Sequence, residues 1–380
     1  MFINFWYPAT ETALLKDEPV LVKMLSMDFV LFRDADGVAH CLANTCVHRG
    51  GSLGDGKVKD GCIECPYHGW RYSGDGACTR IPSIGRDGKI PARAKVDSYP
   101  VEERYGLVFV FLGDLPENQR PPIRKILEWD DENWRPTMVS WEYDANMERA
   151  VENSLDPSHN EFVHPTHGFQ GEREDYKVPD MEITHEDLGV YFRIVLYSPA
   201  LDRGELKGMR DEEGAMEAYS GHHGPNQLWN RIHLTPENWL HQYQFCVPVN
   251  ENRTRFWHIN MRNSWLDPSV DEGVDERNRA TAAEDMVILK KLRPIVPPAH
   301  TNEELLMPSD ETVLLYRNYL SEWEALGWRI DVETLREMQK TSAVTVPSPA
   351  RRTSKNWVLK SAPLAAATAE DSKSASGLKT

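Results

Sequence analysis

Two stretches decide the fold of the first part of this chain: Cys46-Val-His48-Arg-Gly50 and Cys65-Pro-Tyr-His68-Gly69-Trp70. Each pairs one cysteine with one histidine, and sixteen residues separate His48 from Cys65. Two thiolates can bind one iron of a two-iron, two-sulfur cluster while two imidazoles bind the other, and the neutral imidazoles raise the reduction potential. The neighbouring glycines allow the backbone to pass close to the cluster sulfurs. The pattern therefore predicts a [2Fe-2S] one-electron carrier held by Cys46, His48, Cys65 and His68.

Two other interpretations of these residues are weaker. A structural zinc site uses the same ligand types, but a Cys-x-His pair is not the usual zinc-finger spacing, and both pairs lie between strand-like runs. Cys62 and Cys65 also form a Cys-x-x-Cys motif, which can be a redox dithiol. No βαβ pattern surrounds this motif, and Cys65 is better used as a cluster ligand.

Composition limits the class of protein. The 380 residues carry a formal net charge of −16, and 40% of them are hydrophobic, so the chain is long enough for two globular domains. Binding to nucleic acid needs clustered positive charge, which an acidic chain does not favour. No apolar run reaches the length of a membrane span, and no signal peptide is visible. Because the cysteines form no regular disulfide framework, we expect a cytoplasmic protein that binds neither nucleic acid nor a membrane.

The first part of the chain predicts an all-β domain over residues 1–115. Short apolar runs with turn residues between them indicate its strands, at residues 20–25, 29–33, 39–43, 61–64 and 105–113. Residues 114–122 are typical of a linker.

A second domain is predicted over residues 116–350. Its elements are a helix or strand-to-helix segment at 141–152, a strand at 190–196, a hairpin of strands at 240–248 and 254–262, and helices at 275–292 and 310–325. Residues 351–380, which end in Ala, Ser, Thr and Lys, predict a disordered tail.

A second metal site is indicated by two histidines in the second domain. Two imidazoles and one carboxylate on one face of a ferrous ion leave the opposite positions open for oxygen and substrate. His159 and His164 lie five residues apart, about 140° around an ideal helix. Both can bind one ion only if the helix ends or distorts near His164, and Pro165 gives it a reason to end.

The third ligand is expected to be an acid on the predicted helix at 275–292. Asp285 shares a helix face with Ala282, Ile288 and Leu289, and a carboxylate on an apolar face is costly unless a group such as a metal compensates it. The neighbouring Glu284 lies on another side, where it can stay solvated. We therefore predict Asp285 as the ligand.

Asp156 has two compatible interpretations. It can cap a helix that begins at Pro157. It can also be a hydrogen-bonded relay between an iron-bound histidine and the cluster, since carboxylates next to a metal site orient its imidazole ligands.

With both sites in view, the chain resembles the oxygenase (α) component of the Rieske non-haem iron oxygenases, of the aromatic-ring-hydroxylating type and in the form without a β subunit. The resemblance covers about residues 1–345. It implies an α+β fold, in which an N-terminal all-β Rieske domain is followed by a catalytic domain with an antiparallel sheet covered by helices. It also implies a head-to-tail homotrimer, in which Asp156 bridges His159 and His68 of the neighbouring chain.

The resemblance further implies the reaction. Electrons from NAD(P)H arrive through a separate reductase or ferredoxin, reduce the [2Fe-2S] cluster and pass through Asp156 to a mononuclear Fe(II) held by His159, His164 and Asp285. Oxygen activated there hydroxylates or demethylates an aromatic or other cyclic apolar small molecule. The alternative is a Rieske electron-transfer protein without a catalytic iron.

The substrate itself is not indicated by the residues. Trp229, Asn230, His233 and Trp257 are candidate pocket residues, but core or sheet-face roles are the stronger interpretation for them. By analogy alone, the form without a β subunit favours monooxygenation or demethylation over dihydroxylation.

Overall fold

Short apolar runs form the strands at the N-terminal end of the chain, as the alternation of β-branched and aromatic residues with turn residues predicts. The computed structural model describes residues 1–168, 171–198, 214–298 and 301–367. Its first eleven strands are β1 (Phe5–Glu11), β2 (Val20–Met24), β3 (Met27–Arg33), β4 (Ala39–Ala43), β5 (Lys57–Lys59), β6 (Cys62–Glu64), β7 (Arg71–Tyr72), β8 (Cys78–Arg80), β9 (Ser98–Tyr99), β10 (Val101–Arg104) and β11 (Leu107–Leu112).

These strands form three antiparallel sheets. Their orders are β1-β11-β10, β2-β3-β4-β9 and β5-β6-β7-β8. Every side chain of β11 is buried, so this strand is apolar on both faces and anchors the core of the unit. The two cysteine–histidine stretches are the loops that follow β4 and β6.

The second part of the chain forms one large sheet with helices. Its elements are β12 (Arg135–Tyr143), α1 (Met147–Leu155), α2 (Asn160–Val163), β13 (Glu182–Glu186), β14 (Gly189–Ser198), β15 (Gly214–His223), β16 (Gln227–His233), β17 (Trp239–Asn250), β18 (Arg253–Arg262), α3 (Asp271–Leu289) and α4 (Glu311–Ala325). The sheet order is β12-β18-β17-β16-β15-β14-β13, and all neighbours are antiparallel. The predicted α+β class is therefore confirmed, with an all-β N-terminal part and a helix-bearing antiparallel sheet.

The predicted helix or strand-to-helix segment at 141–152 is a strand end followed by a helix. β12 ends at Tyr143, and the side chain of Asn146 accepts a hydrogen bond from the backbone N–H of Glu148, at 2.9 Å, which caps the start of α1. Among the described residues, no helix is both long and apolar enough to cross a bilayer.

A buried carboxylate from the turn before β12 contacts the large sheet. Glu128 accepts hydrogen bonds from the ring of His241 and from the hydroxyl of Tyr243, both at 2.7 Å. Burial by itself raises the pKa of the Glu128 carboxyl, but these hydrogen bonds outweigh burial and lower the pKa to about 2.

The chain divides into two compact units, Met1–Ile123 with Glu322–Thr380, and Arg124–Ser321. These divisions fall after residues 123 and 321, whereas we predict boundaries after 115 and 350 from the sequence. The C-terminal part of the first unit contains α5 (Val332–Gln339), β19 (Val344–Thr345) and β20 (Lys360–Ser361), and β19 pairs with β20 in parallel.

Residues 351–367, which the sequence assigns to a tail, are folded in the structure. Leu359 and Ala362 are buried. The fully buried carboxylate of Asp97 accepts two hydrogen bonds from Arg351, at 2.6 and 2.7 Å, and two more from Ser348. A buried charge needs such partners, so this contact explains why the segment is ordered. Only residues 368–380 of the predicted tail lie outside the described residues.

Candidate metal centres

The two cysteine–histidine loops of the first unit have the same backbone geometry. In each, the cysteine N–H donates to the carbonyl five residues later, at 2.8 Å in both loops. The cysteine carbonyl accepts from the glycine four residues later, at 2.9 Å for Gly50 and 3.0 Å for Gly69. Both glycines have left-handed backbone, with φ of +73° and +68°, a conformation that a side chain disfavours. Glycine is therefore required at the point where each loop turns back.

The cysteine and histidine ligands differ in their exposure to solvent. The sulfurs belong to Cys46 and Cys65, each 2% exposed, whereas His48 and His68 are exposed and their ring centroids lie 4.4 Å apart. The hydroxyl of Tyr72 lies 3.2 Å from the sulfur of Cys46. A group with sulfur ligands inside and imidazole ligands at the surface can exchange electrons through its exposed imidazole side.

The loops fit a cluster better than a single zinc ion. A methyl group at Gly51 would lie 3.0 Å from the sulfur of Cys65, so the glycine keeps space beside this ligand. A tetrahedral zinc ion holds nitrogen and sulfur ligands at about 2.0–2.3 Å, which brings all four together. In the part of the chain that the structure describes, these four residues do not supply three ligand atoms within 4.8 Å of one another. This separation of the four ligands favours a larger group, such as a two-iron cluster, over a single zinc ion.

The second site begins in the segment around α2, between α1 and β13. His159 directly precedes the one-turn helix α2, and His164 directly follows it, with φ −110° and ψ 75°. The helix therefore ends before Pro165, as the sequence predicts. The two imidazoles reach one point because they flank a single turn, and their Nε2 atoms lie 3.2 Å apart.

Asp285 of α3 completes the group. Its Oδ1 lies 3.3 Å from Nε2 of His164 and 3.7 Å from Nε2 of His159. Among the described residues, these three form the one group of three or more His, Cys, Asp or Glu side chains whose ligand atoms all lie within 4.8 Å. The side chain of Asn153 donates to Oδ1 of Asp285 at 3.0 Å. Two imidazoles and one carboxylate form the donor set of a non-haem Fe(II) site, so the residues present fit such an ion.

Both imidazoles are held with Nε2 towards this point. Nδ1 of His159 donates to the backbone carbonyl of Asp156 at 2.5 Å, and Nδ1 of His164 donates to the carboxylate of Glu284 at 2.9 Å. Such contacts select the tautomer whose Nε2 is free to bind a metal. Burial lowers the pKa of His164, but the adjacent carboxylates of Asp285 and Glu284 outweigh burial and raise it. The two carboxylates therefore make the space beside His164 favourable for a cation, and the imidazole itself must be neutral to bind a metal.

The structure corrects two expectations. Glu284 is not simply solvated: its side chain is 18% exposed, and it also accepts hydrogen bonds from the N–H and hydroxyl of Thr166. The spacing along α3 gave no signal for this role, because its partners come from the segment after α2. Asp156 does not cap a helix at Pro157, since α2 begins at Asn160; its carboxylate accepts from the N–H of Ser158 at 2.6 Å.

A cavity of about 230 Å³ adjoins the three metal-ligand candidates. Its walls come from α1, from α3 and from one face of the large sheet. Of the four candidate pocket residues, Asn230 lines this cavity, while Trp229, His233 and Trp257 do not. Side chains alternate between the faces of a strand, so Trp229 and His233 flank Asn230 on the opposite face.

Two family models match this chain. The Rieske [2Fe-2S] domain matches residues 5–100, and the Vanillate O-demethylase oxygenase C-terminal domain matches residues 143–326. All predicted cluster ligands lie in the first range, and both histidines, Asp285 and Asp156 lie in the second.

Individual proteins are similar over parts of the chain. Chlorophyllide a oxygenase of Arabidopsis thaliana is 30% identical over 271 residues, which are 66% of this chain and 44% of that protein. The phenoxybenzoate dioxygenase subunit alpha of Ectopseudomonas oleovorans is 34% identical over 204 residues, covering 50% of this chain and 49% of that protein. The chain spans about a third to a half of the length of the curated relatives it matches.

The fold is similar to a solved structure, Pseudomonas putida CBB5 NdmA with caffeine. The TM-score is 0.71 at 24% sequence identity, and the match covers 85% of this chain and 91% of that chain. At this identity the similarity concerns the fold alone.

Proposed function

We propose that this chain, which belongs to the Rieske non-haem iron oxygenases, is the terminal oxygenase component of an electron-transfer system. Its reaction is the hydroxylation or demethylation of an aromatic or other cyclic small molecule with O2. The observation that carries this proposal is the convergence of His159, His164 and Asp285 beside a cavity, in a chain that also has the paired cysteine–histidine loops.

The assignment of residues follows from these two sites. Cys46 and Cys65 bind one iron of the [2Fe-2S] cluster, and His48 and His68 bind the other. His159, His164 and Asp285 bind the mononuclear Fe(II). When bound, the cluster supplies single electrons and the Fe(II) supplies a site for oxygen activation.

The protein's own residues orient these ligands and the substrate. The Asp156 carbonyl and the Glu284 carboxylate hold the two imidazoles, and Asn153 holds Asp285. The cavity wall contains aromatic side chains such as Trp141, Tyr143 and Phe256, which pack against a ring and exclude water from it.

We propose a head-to-tail homotrimer in which Asp156 connects His159 to His68 of the neighbouring chain. The Asp156 carboxylate is 26% exposed, and its Oδ2 lies 3.9 Å from Nδ1 of His159, so it can accept a hydrogen bond from outside. The exposed ring of His68 is a suitable donor.

A reductase, a ferredoxin or both deliver electrons from NAD(P)H to this component. We propose the cytoplasm as its location, because the six cysteines are free, which suits a reducing compartment. The descriptions of the matching C-terminal domain and of one similar protein include vanillate and phenoxybenzoate. These are ring compounds, and they support a cyclic substrate and, through the demethylase domain, monooxygenation or demethylation.

Iron content tests the proposal. The oxygenase holds three irons per chain, whereas an electron carrier without a catalytic iron holds two. We expect His164→Ala to lower the content from three to two, to keep the visible spectrum of the cluster and to abolish substrate-dependent oxygen uptake. His185→Ala removes an exposed histidine from the same unit and keeps three irons. Two irons in the unmodified protein would contradict the proposal.

Asp156→Asn tests the relay. We expect both metals to be retained and turnover to fall by about 10–100-fold, the usual effect of changing a carboxylate next to a metal site. Reduction of the cluster by the reductase continues at its normal rate in this variant. Near-normal turnover with both metals present would remove Asp156 from the electron path.

A further inference from the structure

A belt of carboxamide side chains crosses the sheet wall of the cavity. Asn230 on β16 is paired with Gln242 on β17, and Gln242 is paired with Asn260 on β18. Gln244 lies two residues from Gln242 on the same strand face and is paired with His258. All five side chains line the cavity, because alternate residues of a strand share one face. We call these five residues the polar belt.

Most hydrogen-bonding groups of the polar belt lack a partner within the described chain. Gln242 donates to the side-chain carbonyl of Asn260 at 3.3 Å, while the NH2 of Asn260 has no partner. If the oxygen and nitrogen of both side-chain amides exchanged places, Asn260 would donate to Gln242, and the NH2 of Gln242 would be the group without a partner. The structure gives no hydrogen bond to the half-buried side chains of Asn230 and Gln244 from any described residue.

The polar belt carries no charge. His258 is 3% exposed, and both of its ring nitrogens lack a described partner. Burial lowers its pKa to about 3, so the imidazole is neutral at physiological pH. The one Lys or Arg among the described lining residues is Arg277 on α3, which donates to the carbonyl of Thr166 at 3.4 Å. A ligand at the belt therefore meets neutral donors and acceptors.

We propose that the polar belt recognises a neutral carbonyl or carboxamide group of the substrate. This inference rests on the proposed function of the cavity as the substrate site, and it narrows the substrate class from apolar rings to rings that carry such a group. Each carboxamide offers a carbonyl acceptor and two N–H donors, so a ligand with both kinds of group can satisfy them. A purely apolar ligand leaves the buried amides unpaired. A carboxylate ligand meets no opposite charge in the belt, which makes its loss of water unfavourable.

Three phenyl compounds of nearly the same shape test the proposal: benzamide, benzoate and α-methylstyrene. Binding to the metal-loaded protein is measured by calorimetry without oxygen or reductase. We expect benzamide to bind at least about tenfold more tightly than benzoate. Benzamide gains a hydrogen bond to the belt, whereas benzoate brings a charge that the belt does not compensate. Benzoate binding as tightly as benzamide would overturn the proposal, because the cavity would then select an anion through Arg277 or the bound metal.

Gln242→Leu tests the belt directly, since it removes the carboxamide and keeps most of the volume. We expect benzamide affinity to fall about tenfold and α-methylstyrene affinity to stay equal or rise. Asn230→Leu is the second variant and has the same expected effect. Tyr243→Phe is the matched control: it lies next to Gln242 on the opposite face, and both affinities stay within about twofold. An unchanged ratio of the two affinities in both folded Leu variants would overturn the proposal.

Oxygen uptake with a reductase is recorded separately for the same proteins. If the Leu variants lose benzamide binding but no compound and no ring substrate supports uptake, the proposed reaction fails and the recognition stands. If uptake occurs but the Leu variants bind and turn over both compounds unchanged, the recognition fails and the proposed reaction stands.

Discussion

Glu284→Gln is expected to weaken binding of Fe(II) without unfolding the protein. The carboxylate accepts three hydrogen bonds: from Nδ1 of His164 at 2.9 Å, and from the N–H and hydroxyl of Thr166 at 3.2 and 2.8 Å. Glutamine replaces one acceptor oxygen by an NH2 donor. The partners in His164 and Thr166 all donate to the carboxylate. If the amide of glutamine turns its carbonyl towards His164, its NH2 faces the backbone N–H of Thr166, and two donors then oppose each other.

The size of the effect follows from these contacts. The bond to His164 changes from one with a charged acceptor, worth about 1.5–3 kcal/mol, to a neutral one worth about 0.5–1.5 kcal/mol. The bond from the N–H of Thr166 is lost, at a further cost of about 1 kcal/mol that falls mainly on folding. We therefore expect the affinity for Fe(II) to fall about 5–13-fold, which equals the difference of about 1–1.5 kcal/mol between the two kinds of bond to His164.

Anaerobic titration of Fe(II) measures this affinity after the mononuclear metal has been removed by a chelator. The visible absorption of the cluster provides an internal measure of folded protein. Glu276→Gln is the matched control, since Glu276 is an exposed residue of the same helix. The reasoning is refuted if Glu284→Gln binds Fe(II) as tightly as the unmodified protein, or if Glu276→Gln lowers the affinity equally.

Three further predictions concern the cluster and stability. Tyr72→Phe removes the hydroxyl beside the sulfur of Cys46, and hydrogen bonds to sulfur favour the reduced cluster. We expect redox titration to show a reduction potential lower by about 40 mV, the one-electron equivalent of about 1 kcal/mol. For Glu128, a folded-state pKa of about 2 lies below the ordinary value of 4.5, so its stabilisation is present above pH 4.5 and is lost as the pH falls towards 2. Urea unfolding at each pH should show that the stability of Glu128→Gln does not carry this pH-dependent loss, which is about 3 kcal/mol. Arg351→Ala leaves the buried carboxylate of Asp97 without its cation, and we expect a loss of about 3–5 kcal/mol in the free energy of unfolding.

Each of these has a control or a contradicting result. Tyr99→Phe removes a buried hydroxyl that bonds Thr345, away from the cluster loops, and leaves the potential unchanged. An equal shift in both tyrosine variants would contradict a role for the contact with sulfur. For Glu128, a stability difference that does not vary with pH would contradict the lowered pKa. Arg352→Ala removes a neighbouring exposed cation and costs no more than about 0.5 kcal/mol; an equal loss in both arginine variants would contradict the prediction for Arg351.

Local sequence patterns were enough to predict much of the fold. The strands at residues 39–43 and 254–262 were predicted at or near their observed ends, because turn residues and alternating apolar residues act over short distances. The helix end before Pro165 was also predictable, since proline acts on its own turn. The folding of the segment at 351–367 was not predictable, because Asp97, the buried partner of Arg351, lies in a distant part of the sequence.

The amino-acid sequence by itself determined the chemistry of the candidate ligands. Cysteines and histidines at fixed short spacings, with glycines where the loops turn back, specify cluster chemistry before any tertiary contact exists. The apolar helix face of Asp285 also indicated the third ligand, whereas only the tertiary structure decided that Glu284 contacts His164 as well. Asp285 and Glu284 are adjacent in α3, yet one points at both Nε2 atoms and the other holds Nδ1 of His164. The role of Glu284 depends on how α3 packs against the segment around α2, and a contact made by packing alone leaves no pattern in the sequence.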